Sequence, residues 1–155
     1  MIEFLFQTFW GIAALVFIWA IGRFVHFRMV LMALNAYRNW KALESVHPHN
    51  AQDPIAESFQ SVISIITPDG SNTGSFSNFP NSRERFFIQL GEGFIHITPS
   101  RNLVSVITGQ THLEKLSFPL NGLRQIQINL FQVESGEWLF IPKSPLLLSL
   151  ARRVK

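Results

Sequence analysis

The chain has 155 residues, a formal charge of +3, no cysteine and fifteen phenylalanines. This length allows one membrane anchor and one small domain of about 100 residues. The absence of cysteine excludes disulfides, thiolate metal sites and cysteine nucleophiles. Most of the positive charge lies beside a predicted membrane segment, where it favours anionic headgroups, so we expect no nucleic-acid partner.

The first predicted element is an apolar run, residues 4–22, that contains no charged side chain. A helix of this length, rising about 1.5 Å per residue, spans a hydrocarbon core of roughly 30 Å, so the run predicts a transmembrane helix. The alternatives are a cleaved signal peptide and a buried core helix. A signal peptide begins with basic residues and ends at a small-residue cleavage site, and neither is found here. The run is also apolar on every face, unlike the surface helix of a soluble protein.

The charges after this run predict an orientation. Four basic residues precede the first acidic residue downstream, Glu44; they are Arg23, Arg28, Arg38 and Lys41. Basic residues beside a span favour the cytoplasmic side. We therefore expect the N-terminus outside and the C-terminal domain in the cytoplasm, with these four side chains at the membrane surface; the reversed topology is the alternative. No acidic residue lies inside the run, so His26 is interpreted as an interface anchor.

Residues 23–46 extend the helix as a predicted cytosolic stalk without glycine or proline. One face of the stalk carries apolar residues at spacings of 4, 3, 4, 4 and 3, namely Val25, Met29, Met32, Ala36, Trp40 and Leu43. This spacing is typical of one helical face, and methionine makes such a surface adaptable. We interpret this stalk stripe as a docking site for a partner subunit. The alternative is that it covers the chain's own small domain.

Two irregular segments follow the stalk. Residues 47–66 predict a linker and then a short helix, with Asp53 as its cap and Pro54 as its first residue; the end of this segment is also compatible with a strand. Residues 67–84 are rich in Gly, Ser, Asn and Pro and predict a flexible loop. Phe76 and Phe79 are its apolar side chains and are candidate contacts with a neighbouring subunit, with local packing as the alternative.

Residues 85–155 predict an antiparallel β domain with a C-terminal helix. Six short β runs, divided by turn residues, begin at residues 85, 94, 103, 113, 123 and 138. Ser144 as cap and Pro145 as first residue predict the closing helix, and its inward side chains are Leu146, Leu147 and Leu150. The predicted fold class is therefore α+β: a transmembrane helix with an amphipathic stalk, then a small antiparallel β-barrel or sandwich with a C-terminal helix.

The order of these elements carries a resemblance, through the segments FFIQLGEGFIHIT, LEKLSFPLNGLRQIQI and WLFIPKSPLLLSLARRV. Six or seven short antiparallel strands followed by a helix resemble a pleckstrin-homology-type domain over residues 60–155. Phosphoinositide binders of that family carry several Lys and Arg around the first hairpin, whereas this loop reads Gly91-Glu92-Gly93. The resemblance therefore implies protein binding or scaffolding rather than recognition of lipid headgroups.

Sequence motifs for catalysis, cofactors and metals are not found. The chain has no nucleophile elbow, phosphate loop, dinucleotide fingerprint or zinc-protease motif. His47 and His49 supply two metal ligands at most, and no further ligand is spaced to complete a site, so we interpret them as part of a solvated linker. His96 alternates with apolar residues in a strand and is expected to face solvent. We predict no enzyme activity, no catalytic, cofactor-binding or metal site, and no small-molecule substrate.

The function predicted from these features is that of a single-pass, membrane-anchored accessory or scaffold subunit of a larger membrane protein complex. Its partners would be the lipid bilayer and the other membrane subunits. The alternative is a membrane-tethered module, similar to a pleckstrin-homology domain, that binds lipid headgroups or a peptide. The two hypotheses differ in where exposed apolar surface is expected: on the stalk for a subunit, and in a pocket or at a strand edge for a module.

Overall fold

The computed structural model describes residues 2–70, 86–99 and 114–154, and the side chains of residues 2–6, 33 and 36 lie outside that description. Several predictions therefore lie outside the described residues. They are the strand beginning at residue 103, the loop from residue 71 onward with Phe76 and Phe79, and the side chain of Ala36 in the stalk stripe.

One long helix, α1, comprises Ile2–Val46 and measures about 68 Å at a rise of about 1.5 Å per residue. It is long and apolar enough to cross a membrane, and its most apolar part is not buried against the rest of the chain. Within the described residues, one helix that can span a bilayer is thus found, where the apolar run predicts it. The orientation of this helix across a membrane stays a prediction.

Eight short strands follow α1: β1 Ile55–Ser61, β2 Ser64–Ile66, β3 Phe86–Gly91, β4 Phe94–Pro99, β5 Leu116–Pro119, β6 Leu123–Gln127, β7 Leu130–Val133 and β8 Trp138–Phe140. They form two four-stranded antiparallel sheets with the orders β1-β3-β4-β5 and β2-β8-β7-β6. A 3₁₀ turn at Leu120–Gly122 joins β5 to β6. The helix α2, Pro145–Arg153, follows the last strand. The fold class is therefore α+β, as predicted.

A single apolar core is shared by the two sheets and α2. Alternate residues of β3 are buried, as in Ile88 and Leu90, and their counterparts in the second sheet include Phe131 and Leu139. Each such side chain contributes about 1.5–3 kcal/mol when it leaves water. The predicted cap of α2 is confirmed, because the Ser144 hydroxyl accepts the Leu147 N–H at 3.4 Å, and the three predicted inward leucines of this helix are buried.

The short helix predicted within residues 47–66 is wrong, because β1 and β2 occupy its place. The strand considered as the alternative for the end of this segment is found there as β2. Apolar residues of this segment fit a helical spacing, but alternate side chains such as Phe59, Ile63 and Ile65 pack on or in the core. Strand β1 pairs antiparallel with β3, which begins 25 residues after β1 ends (86 − 61). Pairing with this distant strand determined the conformation of the segment, and local periodicity cannot predict such pairing.

Two further predictions about the β domain are corrected. The run from residue 123 was expected to be one strand, but it forms β6 and β7, which pair with each other and are joined by a turn at Ile128 and Asn129. The two sheets do not close into a barrel: β5 and β6 are edge strands of different sheets. The predicted domain boundaries stay predictions.

The C-terminal end of α1 is part of the β domain. Trp40 is fully buried and Leu43 is 3% exposed. The Trp40 indole donates a hydrogen bond to the Glu114 carbonyl oxygen at 3.1 Å and stacks on the Phe86 ring at 6.1 Å. We call Trp40–His47, where helix and domain meet, the junction. Because the junction supplies core residues, the last turns of α1 pack with the domain.

Candidate functional site

A cleft of about 880 Å³ opens beside the segment that joins α1 to β1. This connecting segment comprises residues 47–53, and its residues 47–52 together with Val46 form one wall. The opposite walls come from both sheets and consist of Phe94, Ser117, Pro119, Val133, Glu134 and Ser135. We call this space the junction cleft. Its mixture of apolar side chains with a few polar groups is typical of a binding pocket.

A chain of hydrogen bonds begins at two residues that line this cleft, Asn50 and Ser117, and continues to His96 and Asp53. The Asn50 N–H donates to Ser117 Oγ at 3.0 Å, Ser117 Oγ lies 2.7 Å from His96 Nδ1, and His96 Nε2 lies 3.0 Å from Asp53 Oδ2. All three contacts are satisfied when the Ser117 hydroxyl donates to Nδ1 and the Nε2–H donates to Asp53. His96 is fully buried, and the Asp53 side chain is 6% exposed.

The Asp53 carboxylate also binds the turn between β3 and β4. It accepts the Gly93 N–H at 2.9 Å and the Phe94 N–H at 3.2 Å. Burial alone would raise the pKa of Asp53, but these hydrogen bonds and the His96 ring outweigh it and hold the pKa below its ordinary value. Gly91 leaves the space for this carboxylate, because a Cβ atom at that position would overlap it.

A second polar network holds the beginning of the connecting segment against the other sheet. His47 Nε2 lies 3.3 Å from Glu137 Oε1 and 3.1 Å from Ser135 Oγ, and the Ser135 hydroxyl donates to the other oxygen of Glu137. Burial would raise the pKa of Glu137, but the hydrogen bond from Ser135, its own N–H and the charge of His47 lower it overall. The His47 ring packs on Phe118 at 4.4 Å.

His47 also contacts both sheets. Its carbonyl oxygen accepts the Ser117 N–H at 3.2 Å, so it lies along the edge strand β5, while its ring contacts the turn after β7. The connecting segment is therefore held to both sheets by buried polar contacts. Such contacts fix one arrangement of a linker, because breaking them leaves buried groups without partners.

Ser117, His96 and Asp53 are hydrogen-bonded in sequence and are the residue types of a serine hydrolase triad. The geometry of their contacts nevertheless favours a structural role. Ser117 Oγ already accepts the Asn50 N–H, and His49 Nδ1 lies 3.4 Å from the same oxygen. The Ser117 N–H, which a hydrolase could aim at an oxyanion, is donated to His47. The hydroxyl is thus occupied by contacts that hold the connecting segment. The absence of enzyme activity stays a prediction.

His47 and His49 belong to different networks, so they do not form a shared ligand pair. Within residues 2–70, 86–99 and 114–154, no group of three or more His, Asp or Glu side chains is arranged to hold a metal ion. The His49 ring instead lies 5.3 Å from that of His96. Burial lowers the pKa of His49, and the charge of Lys115 acts in the same direction.

Three predicted placements in this site are wrong. His47 was expected to lie in a solvated linker, but it is only 6% exposed. His96 was expected to face solvent, but it is fully buried, because the connecting segment covers the outer face of β4 while the core covers the inner one. Asp53 was expected to cap a helix, but it accepts N–H groups of a β-turn 40 residues away in sequence. Ser117, Ser135 and Glu137 were not predicted at all; no local pattern marks them, because their partners are distant in sequence.

The stalk stripe is divided by the structure. Its last two members, Trp40 and Leu43, lie in the core of the β domain, which was the alternative considered for the whole stripe. Val25 is 43% exposed, and Met29 and Met32 are partly exposed. For these three residues, contact with a partner stays a prediction.

A second apolar face of α1, which the sequence analysis missed, lies opposite the stalk stripe. It consists of Phe24, Phe27, Leu31 and Leu34, exposed by 63%, 59%, 41% and 38%. Spacings of 3, 4 and 3 place these residues on one side of a helix. We call them the outer stalk face. The β domain does not cover them, so they are apolar surface left over after folding.

The four basic residues predicted at the membrane surface lie along the same helix. Arg23, Arg28 and Arg38 are exposed, and the Arg23 guanidinium lies 5.7 Å above the Trp19 ring. Lys41 forms an ion pair with Glu44 at 2.8 Å, and the hydrogen bond that its ammonium donates to this carboxylate raises the pKa of Lys41. Their contact with a membrane surface stays a prediction.

No known protein family matches the chain, and neither a curated protein nor a solved structure is similar to it. The resemblance to pleckstrin-homology-type domains therefore rests on the order of the elements alone.

Proposed function

We propose that this chain is a single-pass, membrane-anchored accessory subunit of a larger membrane protein complex. The observation that carries the proposal is the outer stalk face, four large apolar side chains on one side of α1 that the β domain leaves exposed. Contiguous exposed apolar surface of this kind marks sites of contact with other proteins or with lipid.

The position of this face favours a protein over lipid acyl chains. If the span ends at Gly22, Leu34 lies about 18 Å further along the helix. If the chain had no partner, the Leu34 side chain would be surrounded by water at this distance. Burying each of these side chains against a partner contributes about 1.5–3 kcal/mol.

The junction gives such a partner a means to position the β domain. Trp40 and Leu43 are buried in the domain core, and α1 continues without interruption from the outer stalk face to these residues. A subunit that binds the stalk would therefore hold the β domain at a fixed height and angle. Scaffold proteins require this kind of fixed geometry between anchor and domain.

The test is native expression of the tagged chain, purification in mild detergent, and determination of composition and mass. We expect stoichiometric membrane proteins to accompany the chain, to remain with Val25→Ser, and to be lost with Phe27→Ser. This proposal places the partner on the outer stalk face instead of on the exposed part of the stalk stripe. Val25 of that stripe is therefore the matched control, being 43% exposed on the other side of α1, against 59% for Phe27. A monomer without companions at native expression would contradict the proposal.

A second candidate function is that of a membrane-tethered module that binds a peptide, and the junction cleft favours it. Phe94 and Pro119 offer apolar contacts there, and Ser135 adds a hydroxyl to the lining. Screening the full-length protein in nanodiscs against a peptide library would test this function. Binding that is lost with Phe94→Ala and kept with Phe87→Ala, a substitution at an exposed β3 side chain, would support the module; no binding to any peptide would count against it.

A further inference from the structure

We propose that the outer stalk face docks on a parallel helix of another membrane protein, and that this helix carries Asp or Glu just beyond its own membrane span. Because that helix would belong to the complex proposed above, its chemistry rests on the proposed function. What is added is the charge and the geometry of the partner.

The geometry comes from the spacing of the four apolar residues. Phe24 and Leu31 occupy a positions and Phe27 and Leu34 occupy d positions of two successive heptads, the arrangement of a coiled-coil seam. The seam lies directly after the uncharged run. A partner helix that leaves the same membrane beside α1 runs parallel to it, so the heptad register can continue between the two chains.

The charge of the partner comes from the residues that flank this seam. In the same register Arg23 occupies a g position and Arg28 an e position, where coiled coils place the charges that select a partner. Both side chains are exposed. The sequence contains no acidic residue from position 23 to position 43. This surface is therefore apolar at its centre and positive at both edges, and it complements an apolar seam with negative edges.

A second copy of the chain does not meet this requirement. In a parallel pair, a g residue faces the e residue five positions later on the other helix. Arg23 of one chain would then face Arg28 of the other, and symmetry would repeat the repulsion on the opposite side of the seam. Like charges placed opposite each other act against association, whereas Asp or Glu at these positions of a different chain would attract both arginines.

The lipid bilayer does not reach far enough to cover the outer stalk face either. The headgroup layer extends only about 5–8 Å beyond the hydrocarbon core on each side, whereas Leu31 and Leu34 lie about 14 and 18 Å beyond Gly22. For both to reach lipid, the helix would have to bend and lie on the surface. Residues 23–46 contain no glycine or proline, and α1 is continuous through them.

Photo-crosslinking in native membranes tests the partner directly. The full chain is expressed with the crosslinking amino acid benzoylphenylalanine in place of Leu31 or, as the matched control, Met29. Met29 belongs to the same helical turn but lies on the opposite side. Irradiation is followed by mass spectrometry of the crosslinked peptides, so that the contacting segment of the partner is identified rather than only its presence.

The expected product from position 31 is a peptide of another membrane protein that flanks its span and carries Asp or Glu within one helical turn of the crosslinked residue. The control position should give little of it. A peptide of this same chain, or a partner peptide without nearby acids, would overturn the inference; in the second case the proposed function would stand. Crosslinks to lipid alone, or no crosslink, would overturn both.

Charge variants give an independent readout of the same contact. We expect Arg23→Gln combined with Arg28→Gln to reduce the crosslinked product about tenfold. Arg23→Lys combined with Arg28→Lys should retain most of it, and because this variant keeps the charge it also keeps the topology. Arg152→Gln, at an exposed position of α2, controls for net charge. An undiminished product from the glutamine variant would overturn the acidic partner while leaving a purely apolar contact.

Discussion

The two ends of α1 are built from similar residues but lie in different surroundings. Trp10 and Trp19, near the N-terminal end, are 59% and 66% exposed, whereas Trp40 is fully buried in the β domain. All three side chains are large and apolar, so hydropathy does not distinguish them. The tryptophan in the domain has a polar partner for its indole N–H, and it packs against an aromatic ring of a distant strand.

This comparison shows that one helix carries apolar side chains that are exposed at one end and buried in a core at the other. The N-terminal part needs no specific neighbour in a bilayer, because hydrocarbon solvates every face of it. The C-terminal part depends on shape, because a protein core is close-packed and only certain side chains fit. Substitutions should therefore affect the two ends very differently.

The largest effect is expected at the junction. Trp40→Ala should destabilise the β domain by about 3–5 kcal/mol, because it removes a buried ring and leaves a cavity. Trp19→Ala should leave unfolding of the domain unchanged. Denaturant unfolding in detergent, followed by the fluorescence of the remaining tryptophans, measures both. Equal effects of the two substitutions would contradict the division of α1 into two environments.

The next effect concerns the connecting segment that fastens α1 to the sheets. Gly91→Ala should destabilise the domain by about 1–3 kcal/mol, because the new methyl group displaces the Asp53 carboxylate and leaves buried donors unpaired. Gly93→Ala is the control, since its Cβ atom would lie 3.6 Å from the same carboxylate, an ordinary contact distance. If both variants unfold at the same denaturant concentration, Asp53 does not hold the segment.

Acid should weaken the contacts that hold the connecting segment to the sheets. The lowered pKa values of Asp53 and Glu137 mean that these carboxyls bind protons more readily in the unfolded chain. Their contribution to stability is complete above their unfolded pKa values, about 4, and falls as the pH drops toward the folded values. The lowered pKa of His49 acts in the same direction below about pH 6.5.

Denaturation midpoints between pH 7.5 and 3 measure this dependence. We expect the midpoint to fall on acidification, and to fall less steeply in Asp53→Asn, which no longer titrates. Residues 4–22 of α1 should not contribute to this acid-dependent loss of stability, because they contain no titratable side chain. A midpoint that does not change with pH would show that the buried networks are not coupled to proton binding.

The smallest effect on stability is expected on the outer stalk face. Leu31→Ser should change the unfolding free energy of the domain by less than about 0.5 kcal/mol, because the side chain is exposed and away from the core. It should nevertheless weaken association with the partner. A domain strongly destabilised by this substitution would place Leu31 in the protein's own packing instead of at an interface.

Prediction from sequence succeeded where the determining interactions are local. The length of the uncharged run indicated a helix that can span a membrane, and the Ser144-Pro145 pair predicted the start of α2, because caps act within one turn. It failed at residues 55–66, where an amphipathic spacing resembled a helix although the segment forms two strands. It also failed for the candidate site, since Asp53, His96 and Ser117 are separated by 43 and 21 residues.

By itself, the sequence determined the long apolar helix, the α+β composition and the helix that follows the last strand. These features follow from hydropathy, turn residues and caps, which operate over a few neighbouring residues. Only the tertiary structure decided that Trp40 belongs to a core, that His96 is buried and that Phe24, Phe27, Leu31 and Leu34 are left exposed. Whether a side chain is covered depends on which distant strand or segment reaches it, and that is a property of the packed chain.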